Sequence, residues 1–336
     1  MTTDEKLAAI LAAVQVDPGL RGLAKVPGDN LFTACAGDFA AACRSIAEHP
    51  TASVTVITGF HIPTATPPAS ETDGPLGTVL FTRAMYAIGI SVGITTDFGC
   101  QNALEVGLQM CGLGRECTWD ELPPGLTEDE IRQKYWPKVW VNTIPGPSHP
   151  WHVFLKLDWD GTIRGNHRSH VVSIERAGPA RDGRNYNMRG RDITDCMCPA
   201  HLLFEYTATE HRDLCTIGIG DGGNEIGMGK IPHETIVANI PNGDRIHCRV
   251  PTDFLIVSGV SNWGAYALAA GVYLLRGITP SPDLFDPDRE REILEVMVRE
   301  GPLVDGVTGQ QTATVDGLSW EEYVQPLLRI REILAS

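Results

Sequence analysis

The chain has 336 residues, of which 43% are hydrophobic and 21% are charged, a balance typical of a globular protein. Its formal net charge of −15 argues against nucleic acid and anionic membrane as main partners. The sequence contains no apolar run long enough to span a membrane, and its acidic start, "MTTDEKLAAILAAVQ", is unlike a targeting signal, so we expect a cytoplasmic protein.

The first third of the chain alternates between helical and extended patterns. Apolar periodicity and β-branched runs predict helices at 3–15, 31–48, 78–88 and 101–111, and strands at 53–60 and 90–97. The strand "SVTVITGF" leads into a Pro-rich loop, residues 61–77, that is longer than a connection requires. This alternation favours a parallel sheet covered by helices.

The alternation returns after a less regular middle. Residues 118–152 are rich in Pro and Trp, and we interpret them as an insertion or an excursion over the sheet. Further elements are predicted as strands at 214–219 and 254–258 and as helices at 262–276, 286–299 and 320–334. We therefore predict a single α/β domain over 1–336, with an open, mostly parallel sheet and helices on both faces in three layers.

The stretch "GIGDGGNEIGMGK" follows the strand predicted at 214–219. In open α/β sheets, ligands bind beyond the carboxyl ends of the strands. Gly222 and Gly223 would let the backbone approach a ligand, while Asp221, Asn224 and Glu225 offer oxygens for a hard cation or bases for proton transfer. A tight glycine-rich turn is the simpler alternative, but such a turn rarely needs Asp, Asn and Glu together.

Further candidates lie beyond the strands of the first third. In "PPASETDGPLGT", Glu71 and Thr72 precede Asp73 and Gly74 at a predicted helix start, which attracts carboxylate or phosphate. Thr72 or Asp73 could equally serve only as a helix cap. Asp97 ends the strand at 90–97 and would join this group if the strands are adjacent.

A third group comes from later segments. The region 163–194 carries an excess of arginine, and its guanidinium groups suit carboxylates and phosphates. Most of these arginines are expected to be solvated or paired, but Arg176, Asn187 and Arg189 are candidate ligand contacts in a segment that reads as too polar for a core. Ser258 and Asn262 follow a predicted strand and open a helix. We interpret the Asp-Gly pairs at 305–306 and 316–317 as turns.

Several of these stretches, in order, resemble the C-terminal domain of the D-glutamate cyclase family over roughly 50–320. They are "TGFHIPTATPPASETDGPLGT", "SIERAG", "DGRNYNMRGRDIT", "GDGGNEIGMGK", "VSNWGAYALAA" and "ATVDGL". The resemblance implies a stand-alone form of that domain. It also implies a lyase that converts D-glutamate to 5-oxo-D-proline and water, without an organic cofactor.

This reading suggests roles for the candidates. Glu71, Asp73, Asp221 and Glu225 would act as base or hold a divalent cation, Mg or Mn, with Asp97 as a further ligand. Arg176 or Arg189 would grip a substrate carboxylate, and the N–H groups of 222–224 would face the oxyanion. The expected partner is a small acidic metabolite, and a homo-oligomer is compatible with the sequence.

Two other functions stay open at this stage. The same glycine loops and acids could hold a phosphorylated or nucleotide ligand through a metal ion. Alternatively, the chain could be a non-catalytic module that binds an acidic metabolite, in which case mutation of the acids would change affinity alone.

Overall fold

A parallel sheet of six strands forms the centre of the computed structural model, which describes residues 1–114, 126–127, 138–146, 168–210 and 213–336. The six strands are β1 (Ser53–Thr58), β4 (Ser91–Thr96), β5 (Val141–Thr143), β6 (His170–Ile174), β7 (Cys215–Gly220) and β8 (Phe254–Val257). A separate pair is formed by β2 (His61–Ile62) and β3 (Ala69–Ser70), which are antiparallel.

The strand order in the sheet is β5-β4-β1-β6-β7-β8. The chain runs outward from β1 through β4 to β5, then returns to the other side of β1 and continues through β6, β7 and β8. The direction of winding therefore reverses between β1 and β6, which pair in register from Val54 with His170 to Thr58 with Ile174. In open α/β sheets a crevice forms at such a switch point, beyond the carboxyl ends of the strands.

Helices surround the sheet. They are α1 (Thr3–Val14), α2 (Leu31–Ala34), α3 (Asp38–Ala47), α4 (Pro75–Ala87), α5 (Phe98–Met110), α6 (His201–Glu210), α7 (His233–Asn239), α8 (Gly243–Ile246), α9 (Ser261–Arg276), α10 (Pro287–Glu300), α11 (Trp320–Tyr323) and α12 (Gln325–Ala335). Within the described ranges, no helix is both long and apolar enough to cross a bilayer.

Successive side chains of each strand point to opposite faces of the sheet and join two separate cores. Val54 and Val56 of β1 pack with α1, α3, α4, α9 and α10, whereas Ile57 packs with α6, α7 and α8. β6 behaves in the same way, with Val172 in the first core and Val171 in the second. The predicted α/β fold, a parallel sheet between two helical layers, is confirmed.

Two predictions about individual elements are wrong. The segment 163–194 reads as too polar for a core, but His170–Ile174 inside it form the fully buried strand β6. The helix predicted over 31–48 is divided into α2 and α3, because Gly37 adopts φ 95° between them. The excursion predicted over 118–152 lies largely outside the described residues, and Val141–Thr143 within it extend the edge of the sheet beside β4.

Candidate active site

A cavity of about 140 Å³ lies at the switch point, beyond the carboxyl ends of the central strands. Phe60 and Ile62, which follow β1, form part of its apolar wall, together with Met188 and Val307. The polar side chains that line it are Arg21, Thr64, Glu71, Glu175, Asn187, Arg189, Asp221, Asn224 and Asp316. The cavity is thus strongly acidic, and its walls come from segments far apart in the chain.

Four carboxyl groups reach this cavity from four different connections. Glu71 comes from the loop between β3 and α4, Glu175 directly follows β6, and Asp221 directly follows β7. Asp316 comes from the loop before α11. Buried Asp305 orders that loop, because its carboxylate accepts hydrogen bonds from the amides of Val307, Thr308 and Gly317 and from the Thr314 hydroxyl.

Arg21 supplies a guanidinium inside this acidic cavity. It lies in the segment between α1 and α2, and its Nη1 and Nη2 atoms contact the carboxylates of Asp221 and Asp316, the second at 2.9 Å. The side chains are largely buried, with 16% of Arg21, 5% of Asp221 and 9% of Asp316 exposed. An arginine therefore sits between two of the carboxyl groups.

Burial changes the protonation of these carboxyl groups. Desolvation and neighbouring carboxylates raise the pKa of Glu71 and of Glu175 well above the usual range. Burial also raises the pKa of Asp221 to about 6 and that of Asp316 to about 7, although Arg21 opposes the shift in both. Near neutral pH the cavity therefore holds both protonated and ionised carboxyl groups, as acid–base catalysis requires.

Two of the acids adopt backbone conformations that are unfavourable for side chains with a Cβ atom. Glu175 has φ 45° and Asp316 has φ 56°. A non-glycine residue in this left-handed region costs about 1–2 kcal/mol. Strain of this kind persists where the surrounding structure imposes it, and it clusters at functional sites. The two strained residues, Glu175 and Asp316, are thus among the four carboxyl groups that line the cavity.

The glycine-rich loop after β7 folds back on its own strand. The Glu225 carboxylate accepts hydrogen bonds from the amides of Asp221, at 3.2 Å, and Gly223, at 2.8 Å, and Gly223 adopts φ 100° to allow this. The amide of Gly223 is therefore engaged, and the proposed oxyanion donors of 222–224 reduce to Gly222 and Asn224. Gly222 and Gly223 are both buried, and a Cβ atom on Gly222 would collide with Met188.

Asn224 differs from its neighbours because part of its side chain is free. Its Nδ2 atom donates to the carbonyl oxygen of Tyr186 at 2.9 Å. Its Oδ1 atom is buried and has no hydrogen-bond partner in the described part of the chain, and the residue lines the cavity. A buried acceptor without a donor is costly, so a ligand N–H group is its natural complement.

Asp73 and Asn262 hold the two helices behind the site together. The Asp73 carboxylate accepts hydrogen bonds from the amides of Ser261 and Asn262 at the start of α9, at 2.9 and 2.8 Å. In return, the Asn262 side-chain oxygen accepts from the amides of Gly74 and Gly77 at the start of α4. Each residue thus caps the other helix. Asp73 was predicted as catalytic and Asn262 as substrate-binding. In the structure, both side chains instead form hydrogen bonds that join the two helices.

Other predicted residues also have internal partners. The Thr72 hydroxyl donates to the carbonyl oxygen of Thr314, and the Ser258 hydroxyl donates to that of Val260. Arg176 is fully buried and forms a bidentate pair with Asp97, with both N···O distances at 2.7 Å. Neither member of that pair lines the cavity, so the structure does not bring Asp97 into the acidic cluster.

Asn187 and Arg189 lie at the rim of the cavity, as the sequence predicts for ligand contacts. The Arg189 side chain is exposed and donates to the carbonyl oxygen of Val307 at 3.3 Å. Asn187 accepts hydrogen bonds from the amides of Arg189 and Arg191 through its side-chain oxygen. The rim therefore carries an exposed positive charge above an acidic interior.

Some carboxylates are close enough together to share a cation. Ligand atoms of Asp73, Asp221 and Asp316 all lie within 4.8 Å of one another, and so do those of Glu175, Asp221 and Glu225. Oxygen ligands of this kind suit Mg²⁺ or Mn²⁺. Arg21 already contacts two members of the first group.

Three charged residues that line the cavity were not predicted from the sequence: Arg21, Glu175 and Asp316. Glu175 directly follows β6, so reading "HVVSI" as a strand would have found it. Asp316 belongs to an Asp-Gly pair that reads as a turn. Arg21 follows no strand and belongs to no motif, and nothing in the local sequence places it in the site.

Comparisons with known proteins identify the family that this chain matches. A sequence model of the family described as "D-glutamate cyclase-like, C-terminal" matches residues 10–331. The human protein named "D-glutamate cyclase, mitochondrial" is 29% identical over 355 residues, which cover 98% of this chain. The match covers 52% of the human protein, so the chain spans about half the length of this curated relative.

Proposed function

The chain belongs to the D-glutamate cyclase-like, C-terminal family, and from this we propose that it is a lyase that converts D-glutamate to 5-oxo-D-proline and water. The observation that carries the proposal is the cavity at the switch point. There, four buried carboxyl groups with raised pKa values surround one guanidinium. The reaction has three requirements, and the cavity offers a group for each.

The first requirement is removal of a proton from the substrate ammonium, because only the free amine can attack the γ-carboxyl carbon. Asp221 is the proposed base, since its pKa of about 6 leaves it ionised at neutral pH yet able to hold a proton. The free Oδ1 atom of Asn224 would accept a second N–H group of the substrate and orient the nitrogen.

The second requirement is a proton for the γ-carboxylate, because a carboxylate anion is a poor electrophile and hydroxide must leave as water. Asp316 is the proposed acid, since its pKa of about 7 leaves it substantially protonated near neutral pH. Glu71 and Glu175, whose pKa values are raised well above the usual range, would be further O–H donors in the same wall.

The third requirement is stabilisation of the tetrahedral oxyanion. Protonated carboxyl groups can donate hydrogen bonds to it, and in a buried site such donors are worth more than in water. Ordinary ionised carboxylates would instead repel both the oxyanion and the anionic substrate. The raised pKa values therefore explain how an acidic cavity could accept an acidic metabolite.

We also propose that the carboxylate groups around Asp221 are where a divalent cation, Mg or Mn, would bind. Asp73, Asp221 and Glu225 were expected as ligands from the sequence, and the geometry adds Glu175 and Asp316. Such a cation would supply Lewis-acid chemistry. Arg21 contacts two members of the Asp73–Asp221–Asp316 group but one member of the Glu175–Asp221–Glu225 group, so the second group suits a cation better. Titration of the purified protein with Mn²⁺, followed by calorimetry, tests this site, and an absence of saturable binding would remove it.

A direct test of the function is incubation of the purified protein with D-glutamate and, separately, with L-glutamate. Each reaction is run with added Mn²⁺ and after treatment with a chelator, and 5-oxoproline is measured by chiral chromatography. We expect 5-oxo-D-proline from D-glutamate. If the protein binds D-glutamate without forming product, a non-catalytic binding module is the better description. If only phosphorylated ligands raise the melting temperature, an enzyme that acts on a phosphorylated or nucleotide ligand is the better description.

Some predictions from the sequence stay proposals without a structural test. They are the cytoplasmic location, the single domain over 1–336, assembly as a homo-oligomer and the exclusion of nucleic acid. Gel filtration with light scattering would measure the oligomeric state directly.

A further inference from the structure

Arg21 reaches the cavity on a segment that the framework holds firmly. Near the start of this segment, the carbonyl oxygen of Val14 accepts a hydrogen bond from Gly259, which precedes α9. Further along, the Asn239 side chain accepts from the amide of Val26 at 2.7 Å. Between these points the Asp17 carboxylate accepts from the amides of Arg21, Gly22 and Leu23. The segment thus presents the Arg21 side chain from a fixed backbone.

The guanidinium of Arg21 is less completely bonded than its burial would suggest. Its Nη1 atom pairs with Asp221 and its Nη2 atom pairs with Asp316, and its side chain makes no further hydrogen bond among the described residues. An arginine offers five N–H donors in a planar fork that matches a carboxylate. Arg21 therefore keeps donor capacity inside the cavity, where a ligand carboxylate could use it.

We propose that Arg21 binds the α-carboxylate of the substrate through the N–H donors that its contacts with Asp221 and Asp316 leave unused. The inference rests on the proposed cyclase function and adds a residue that recognises the substrate. The α-carboxylate is the part of D-glutamate that does not react, so a permanent guanidinium partner there does not hinder ring closure.

Binding at the α-carboxylate keeps the guanidinium away from the reacting atoms. The nitrogen begins as an ammonium group and loses two protons as the N–C bond forms. The γ-carboxylate takes up two protons as one of its C–O bonds breaks and water leaves. The reaction is therefore balanced in protons without any proton from Arg21.

The proposal predicts that Arg21 discriminates between ligands that differ only in this carboxylate. Two matched pairs are available: D-glutamate and 4-aminobutanoate as substrates, and 5-oxo-D-proline and 2-pyrrolidinone as product-like ligands. The second compound of each pair lacks the α-carboxylate. Binding of the lactams is measured by calorimetry, so the test does not depend on turnover by the variants.

We expect Arg21→Lys to weaken the binding of 5-oxo-D-proline roughly 10-fold, and Arg21→Ala to weaken it roughly 100-fold, as for loss of charged hydrogen bonds. Binding of 2-pyrrolidinone should change less than about threefold, because it has no carboxylate to lose. The preference for D-glutamate over 4-aminobutanoate in kcat/KM should fall in parallel. Arg44→Ala removes an exposed arginine that pairs with Asp4, and it serves as the matched control.

The outcomes separate this inference from the function on which it rests. If the wild-type protein cyclises D-glutamate but the Arg21 variants bind both lactams with equal losses, Arg21 has only a structural role and the inference is wrong. If the wild-type protein forms no 5-oxoproline, the proposed function fails first. Arg21→Ala leaves two buried acids without a cation, so if it does not fold, Arg21→Lys alone decides between these outcomes.

Discussion

Two arginine–aspartate pairs lie at the same edge of the sheet, and they differ in what else surrounds the arginine. Arg176 follows β6, and its guanidinium donates to both carboxylate oxygens of Asp97 and to the carbonyl oxygens of Gly59 and Cys198, all within 2.7 Å. Arg21 contacts Asp221 and Asp316 beside a cavity, without such backbone acceptors among the described residues.

The difference teaches that burial and ion pairing alone do not mark a ligand-binding arginine. Both terminal nitrogens of Arg176 donate to Asp97 and to backbone carbonyl groups, so moving it would leave Asp97 without its cation and two carbonyl groups without these donors. Among the described residues the Arg21 side chain pairs only with two carboxylates, so its other N–H donors remain available to a ligand carboxylate in the cavity. The first pair therefore belongs to the framework and the second to the proposed chemistry.

The largest effect is expected from Asp221→Asn, which removes the proposed base while keeping the shape of the side chain. Turnover of D-glutamate should fall about 1,000-fold, since general-base catalysis contributes roughly 10²- to 10⁴-fold. The melting temperature should change by only a few degrees, because Arg21 keeps Asp316 as a partner. Full activity in this variant would show that the site assignment is wrong. Asp195→Asn, at an exposed position, is the control.

Arg176→Met should destabilise the fold, because it removes the hydrogen bonds to Asp97 and to two backbone carbonyl groups. We expect the free energy of unfolding to fall by about 3–5 kcal/mol, because the buried Asp97 carboxylate loses its cation. Urea denaturation measures this loss, and Arg44→Met, which breaks an exposed pair, should cost less than about 1 kcal/mol. A loss in Arg176→Met as small as that of the control would contradict the framework role.

Asp316→Asn should change how stability depends on pH. The pKa of Asp316 is about 7 in the folded chain against an ordinary 3.8, so the folded state binds this proton more tightly than the unfolded state. The resulting stabilisation is complete below about pH 4 and is lost as the pH rises towards 7, with a slope of at most about 1.4 kcal/mol per pH unit. Urea unfolding between pH 4.5 and 7.5 should show a shallower decline in Asp316→Asn, and identical slopes would argue against the raised pKa.

The smallest effect is expected from Arg189→Ala at the rim. Its guanidinium is exposed, and its hydrogen bond to Val307 is long, so the free energy of unfolding should change by less than about 0.5 kcal/mol. The KM for D-glutamate should rise a few-fold at low salt, because an exposed positive charge steers an anionic substrate. The rise should be smaller at high salt, because ions screen that charge. An unchanged KM at low salt would show that Arg189 does not contribute to substrate capture.

Two of the predicted site residues follow from local order along the chain. Asp221 follows a strand with a clear β-branched pattern, and Glu71 lies in a loop too long for a simple connection. Both line the cavity, since the carboxyl ends of parallel strands share one edge. The strand β6 could not be recognised in this way, because its polar, arginine-rich flanks obscure the buried run "HVVSI".

By itself, the sequence determined the parallel α/β fold, its helical layers and the edge of the sheet where the acids gather, because these follow from short-range periodicity and strand direction. Only the tertiary structure decided which of those residues face the cavity. Asp73 and Asn262 are 189 positions apart yet cap each other's helices, and Arg21 meets Asp221, which lies 200 positions later in the chain (221 − 21). Such pairings depend on how distant segments pack, and no local pattern encodes that.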